Sequence, residues 1–232
     1  MTIKLITFDL DDTLWDVAPV IVTAEVAMRD WLAEHAPRLG PFSPERLFEI
    51  RQGLVDVEPA LKHKISELRR RVLFHALEQA GYPSSEAKAL GDACFEIFLH
   101  ARHQVEFFPE VHPTLERLAQ RYTLGAVTNG NADVRRLGVS DYFTFALSAE
   151  DMGVGKPDPR PFEEALRRGG VSADAAVHIG DHPNDDIAGA KQAGLRAIWY
   201  NPKGLPWEGG ATPDAQIARL DELPGLLEGW NS

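Results

Sequence analysis

The chain has 232 residues, a hydrophobic share of 44% and a formal net charge of -11, from 24 Lys and Arg against 35 Asp and Glu. That length fits one generous α/β domain, or a core carrying a smaller one, and the acidic balance argues against nucleic acid, whose phosphates need a Lys/Arg surface. Cys94 is the single cysteine, which excludes an intrachain disulfide and fits a reducing compartment.

The first apolar run, Lys4–Phe8, reads as a short buried strand and leads into Asp9-Leu10-Asp11-Asp12-Thr13. In a strand, residues i and i+2 point to one side, so Asp9 and Asp11 should face one spot beyond the strand end. Like charges that close raise one another's pKa; such a pair marks a cation or a reaction. Ahead of it no apolar stretch suits a signal peptide, and no run in the chain approaches the roughly 20 apolar residues of a bilayer span. A cytoplasmic protein without a membrane partner is expected.

From about Val17 to His103 the spacing predicts helices alone. Ile21, Val22, Val26, Met28, Trp31 and Leu32 form one apolar set and Leu68, Val72, Leu73 and Leu77 another, with Gly40-Pro41 and Gly81–Pro83 as punctuation. This is too long for a simple crossover. It reads as a helical cap over residues 17–104, leaving 1–16 and 105–232 as the core.

Strand-like runs return at Thr123–Thr128, Phe143–Ser148, Ala176–Gly180 and Leu195–Tyr200, separated by helical patterns such as Arg160–Arg168 and Asp186–Ala193. Alternation of this kind predicts a parallel sheet covered on both faces, with ligands at the edge where the strands end. At those ends lie Asp9-Leu10-Asp11, Thr128-Asn129-Gly130, Gly155-Lys156-Pro157 and Gly180-Asp181 with Asp186. Two simpler readings fail. A calcium loop opening at Asp9 needs Gly and Glu where Leu14 and Val20 stand, and a nucleotide-binding loop at Gly155-Lys156 lacks its first glycine, replaced by Glu150, and its Ser or Thr, replaced by Pro157. Asp185-Asp186 could also serve as favourable charge at a helix start.

The ordered set from Asp9 to Ala190 resembles the haloacid dehalogenase superfamily, most of whose members are phosphatases. The resemblance implies a Rossmann-like, doubly wound α/β core with an inserted all-helical cap of the C1 branch. It makes Asp9 the nucleophile that forms an aspartyl-phosphate. Mg²⁺ is implied on the Asp9 carboxylate, the Asp11 main-chain carbonyl and Asp181, with Asp186 orienting the site and its own ligation through water left open. Lys156 supplies charge to nucleophile and phosphoryl oxygens, while the Thr128 hydroxyl and the Asn129 N–H hold the remaining oxygens. Asp11 acts as general acid, then as base. Dehalogenases of the superfamily carry no Asp there and the ion-pumping ATPases carry Thr, so this residue favours a phosphatase or a phosphomutase.

Specificity is expected from the cap and the segment leading into it. Trp15 is weighed as a substrate-facing ring, Trp31 as core, with Phe42, Phe107 and Phe108 nearby, and Arg69, Arg70 and Arg71 as a solvated helix face. At finer grain Asp9–Val20 and Glu58–Arg71 resemble bacterial phosphatases of flavin mononucleotide and of the phosphoribitylaminouracil precursor of riboflavin. Pyrimidine nucleotides and sugar phosphates are the alternative substrates. A non-catalytic binding module would have little reason to keep Asp9, Asp11, Lys156 and Asp181 together. Monomer and dimer stay open.

Overall fold

The computed structural model describes residues 2–40 and 44–231. The chain divides into two compact units, Met1–Asp16 with Glu106–Ser232, and Val17–Val105.

The first unit is built on a six-stranded sheet: β1 (Leu5–Phe8), β2 (Thr123–Thr128), β3 (Phe145–Ser148), β4 (Ala176–Gly180), β5 (Arg196–Tyr200) and β6 (Ala215–Ile217). The strand order is β3-β2-β1-β4-β5-β6, and every pairing is parallel. Every residue of β1 and β4 is buried, which is why these strands read as continuous apolar runs rather than alternating ones. Helices α5 (Val111–Ala119), α6 (Ala149–Met152), α7 (Pro159–Gly169), α8 (Gly189–Gln192) and α9 (Leu223–Trp230) complete this doubly wound, Rossmann-like α/β unit. Leu5, Val127, Ala176, Ala197 and Trp199 on the sheet pack with Phe162 and Ala165 of α7 and Ala190 of α8. The start of α7 follows from sequence: the Asp158 side chain accepts the Arg160 N–H and Pro159 takes the first turn. Gly170, at φ 64, ends it in the left-handed conformation that glycine adopts freely.

Two differences from the sequence pattern stand out. The edge strand β6 is three residues of mixed character, too short for any period to show. The helix expected over Asp186–Ala193 opens instead with a wider π-helical turn, Pro183–Ala188, before α8. Such turns are frequent at functional sites.

The second unit is helical: α1 (Val17–His35), α2 (Pro44–Val57), α3 (Ile65–Gln79) and α4 (Ser84–Arg102). Its core joins Ala24, Met28 and Leu32 of α1 to Leu73, Ala76 and Leu77 of α3 and Cys94, Phe95 and Phe98 of α4. Val22 and Val26, expected inside, are 61% and 43% exposed. Two residues turn a helix by about 200°, so once the Ala24–Met28–Leu32 stripe faces inward those valines face out. Leu68 and Val72 pack with Leu61 in a second cluster. Trp31 packs partly buried against the main one and stacks on His35. Pro41 and Phe42 lie outside the described residues.

Candidate active site

The strand order reverses at β1, which has β2 on one side and β4 on the other. In a sheet of this kind ligands bind in the crevice beyond the strand ends at that reversal. Asp9 follows β1 directly, its N–H bonded to the Ile179 carbonyl of β4 at 2.9 Å. Asp181 follows β4. Carboxylate oxygens of Asp9, Asp181 and Asp186 all lie within 4.8 Å of one another. Gly180 makes this possible: a side chain there would collide with the Asp186 carboxyl group, which occupies the space above the last residue of β4.

Lys156 is buried between two of these acids, its Nζ 2.6 Å from Asp9 Oδ1 and 2.6 Å from Asp186 Oδ1. Its loop is clamped by the Asn129 side chain, which accepts the Lys156 N–H at 2.8 Å and donates to the Lys156 carbonyl at 2.9 Å. A Cβ at Gly155 would come within 2.5 Å of Asn129 Oδ1, so glycine lets the two loops meet. Asn129 Nδ2 also donates to Asp185 Oδ2 at 3.2 Å, tying the loop after β2 to the π-helical turn. The Asn129 side chain is thus occupied with Lys156, a role the sequence reading, concerned with its main-chain N–H, did not assign.

Asp186 is more heavily bonded than expected. Besides Lys156, its Oδ1 lies 3.0 Å from His178 Nε2, and its Oδ2 accepts the His182 N–H at 2.9 Å. His178 Nδ1 in turn lies 2.9 Å from Thr7 Oγ1. Neither residue belongs to a motif, yet each is a polar residue inside a short apolar strand, which is the signal by which the sequence marks them. Trp199 of β5 donates from Nε1 to the Asp181 carbonyl at 2.8 Å and so fixes the backbone of that acid.

Burial raises the pKa of Asp9 well above the usual carboxylate value; Lys156 pulls against this, and the charges of Asp186 and Asp181 add to it. Burial, with Asp186 and Asp12 beside it, pushes Asp181 up to about 7. Asp186 goes the other way. Burial opposes its ionisation, but Lys156 and the His178 hydrogen bond outweigh it and hold the carboxyl well below the ordinary range. Lys156 is buried too, and its two carboxylate partners hold its pKa above the usual lysine value.

With all groups ionised, the three carboxylates and one ammonium leave two uncompensated negative charges, the charge of one divalent cation. The donors are all oxygen, as Mg²⁺ prefers, and Asp181 and Asp9 are the acids whose raised pKa values a cation would relieve. The residues fit such an ion.

Thr128 is buried at the end of β2, and its hydroxyl accepts the Gly130 N–H at 2.9 Å while keeping a hydrogen to donate. Asp11 is half-buried in the turn after β1, where it bridges to Trp15; Asp12 beside it takes the left-handed conformation, φ 59. Trp15 corrects the sequence reading. Its side chain is 0% exposed, its ring edge-on to Phe107 with centroids 5.5 Å apart. A ring so enclosed offers substrate no face and belongs to the core. Phe108 tilts against Tyr200. Arg69 and Arg70 lie over Phe98 and Phe95 of their own unit, and Arg71 pairs with Glu58 and Glu67.

A parallel sheet reversing at β1, with an acid cluster and a buried lysine at that point, defines a hydrolase of the haloacid dehalogenase kind. Residues 3–194 match the haloacid dehalogenase-like hydrolase family, and the chain belongs to it. It is 33% identical to the 5-amino-6-(5-phospho-D-ribitylamino)uracil phosphatase YigB of Escherichia coli, over 97% of this chain and 96% of that one. It is 32% identical to a phosphoserine phosphatase of Thermus thermophilus, over 95% and 97%. A crystal structure described as a 2-haloacid dehalogenase from Pseudomonas syringae pv. Tomato is 67% identical, with TM-score 0.98 over 99% of this chain and 100% of that one. Among the described residues no helix is long and apolar enough to cross a membrane.

Proposed function

We propose that the protein is a Mg²⁺-dependent phosphomonoesterase that acts on a small phosphorylated metabolite through an aspartyl-phosphate. The observation that carries this reading is the cluster of Asp9, Asp181 and Asp186 around Lys156 at the reversal of the sheet. An Asp9 carboxylate oxygen attacks phosphorus as the ester P–O bond breaks. Asp11 gives its proton to the departing alkoxide. The same carboxylate then takes a proton from the water that cleaves the aspartyl-phosphate, releasing phosphate and regenerating Asp9. Lys156, fixed by Asp9, Asp186 and the Asn129 clamp, presents one positive charge to the phosphoryl oxygens, and the Thr128 hydroxyl and Asn129 N–H take the others. Mg²⁺, held by Asp9, Asp181 and the Asp11 carbonyl, supplies when bound the charge that offsets repulsion between these acids and the phosphate.

Within this reading the riboflavin precursor named for the Escherichia coli relative, or flavin mononucleotide, is the preferred substrate. Similarity along nearly the whole of both chains supports it. Phosphoserine, pyrimidine nucleotides and sugar phosphates are the competitors, the first because of the Thermus thermophilus relative.

A second reading, a 2-haloacid dehalogenase, is favoured by the description of the Pseudomonas syringae structure. There Asp9 would displace halide from carbon, with no leaving alkoxide for Asp11 to protonate. One experiment separates the two. The purified protein is assayed with Mg²⁺ for phosphate release from p-nitrophenyl phosphate and a metabolite panel, and for halide release from 2-haloacids. Phosphate release is expected, abolished in Asp9→Asn and slowed about 10²–10⁴-fold in Asp11→Asn with Mg²⁺ affinity retained by calorimetry. Halide release without phosphate release refutes the proposal, and a panel in which flavin mononucleotide ranks no better than sugar phosphates removes the substrate preference.

A further inference from the structure

We propose that His178 is a positioning residue of the hydrolytic site: tethered by Thr7, it donates a hydrogen bond to Asp186 and so holds the carboxylate that shares Lys156 with Asp9. The proposal deepens the reading of Asp9 and Lys156 as reacting groups and rests on it. Its basis is the register of the sheet, in which Thr7 of β1 and His178 of β4 are direct partners. Side chains two apart on a strand share a face, so Thr7 stands on the side of Asp9 and His178 on the side of Gly180, over which Asp186 lies.

The direction of the hydrogen bonds follows from chemistry. An ionised Asp186 can only accept, so Nε2 of His178, 3.0 Å from its Oδ1, carries the hydrogen. Burial disfavours a charged ring, so Nδ1 is bare and takes the one Thr7 hydroxyl hydrogen at 2.9 Å, a closer acceptor than the Val177 carbonyl at 3.4 Å. The ring cannot turn away, being fully buried and set edge-on to Phe162 at 5.0 Å. One connected line therefore runs from the centre of the sheet through Thr7, His178, Asp186 and Lys156 to the oxygen of Asp9. Without the Nε2 hydrogen, Lys156 is the remaining donor to Oδ1, and the carboxylate is held by Lys156 and by the His182 N–H on Oδ2 alone. Conserving the donor matters more than filling the volume.

Three full-length variants test this. In His178→Gln the amide nitrogen reaches the place of Nε2, in His178→Asn it reaches that of Nδ1, and His178→Leu supplies neither. Turnover is measured on whichever of p-nitrophenyl phosphate or a 2-chloroalkanoic acid the wild type uses, with melting temperature alongside. Gln is expected to retain most of kcat, while Asn and Leu lose about 10- to 100-fold, as removal of a supporting hydrogen bond behind a reactive group commonly does, with KM little changed. Equal activity in all three, or losses that simply follow melting temperature, overturns the proposal. The ring ¹⁵N spectrum of the wild type, recorded without substrate, should show the hydrogen on Nε2, with the resonance moving in Asp186→Asn. A hydrogen on Nδ1 overturns it equally. Because the spectrum needs no turnover, a protein inactive on both substrates defeats the functional reading and leaves this test decisive for the ring.

Discussion

The raised pKa of Asp181 predicts that the metal-free protein loses stability as pH rises. An unfolded Asp releases its proton near its model value of 3.8, whereas folded Asp181 keeps it to about 7. Between those values the folded state binds more protons than the unfolded one, so stability falls with pH across the window and levels off above it. Integrated from pH 5 to pH 8 and reduced for the part of this carboxyl that water reaches, the loss is roughly 1–2 kcal/mol. Asp9, also raised, acts in the same sense, while ionised Asp186 contributes nothing over this range because its window lies below the usual carboxylate pKa. His178 acts oppositely below its unfolded value of 6.5, since burial disfavours its charged form. The quantity to measure is therefore the difference in pH slope between wild type and Asp181→Asn, by thermal melts in chelator from pH 5 to 8. For a chain of this size the slope should differ by about 2–8 °C over that span. Added Mg²⁺ should raise the wild-type melting temperature more at pH 8 than at pH 5, because cation and proton compete for one carboxylate. A variant with the wild-type slope, or a Mg²⁺ effect larger at pH 5, refutes the reasoning.

Two further outcomes follow from the same site. Lys156→Met strands Asp9 and Asp186 as buried carboxylates without their shared counter-charge and should cost about 3–5 kcal/mol in urea unfolding at pH 7 as well as abolishing turnover; a change under about 1 kcal/mol would show that the pair is solvated. Gly180→Ala drives a methyl into the Asp186 carboxyl and should cost about 1–3 kcal/mol with a fall in activity. Gly210→Ala, with nothing within 4 Å of the added carbon, is the control and should melt like wild type.

Much of this was legible in the residues. The strands buried on both faces, Leu5–Phe8, Thr123–Thr128 and Ala176–Gly180, stand out because a parallel sheet demands unbroken apolar runs. Motifs after β1 and β4, and in the loop beyond β3, pointed to Asp9, Asp181 and Lys156 because the loops after parallel strands open on one edge. Periodicity also separated a helical segment from the sheet. It erred on Val22 and Val26, since apolar residues on both sides of α1 leave the buried stripe undecided until α3 and α4 pack against it. Trp15 departs from expectation for a related reason: its nearness to Asp9 along the chain says nothing of its burial or of the Phe107 ring set edge-on to it.

The sequence by itself determined which chemistry-bearing residues the chain has and which strand each one follows, because those properties depend on local pattern alone. Tertiary structure decided which side chains serve one another. Lys156 lies between Asp9 and Asp186, Asn129 closes on the Lys156 loop, and Thr7 meets His178. Those partners are far apart along the chain, and what sets them a hydrogen bond apart is strand order and register, which depend on the packing of all the strands together.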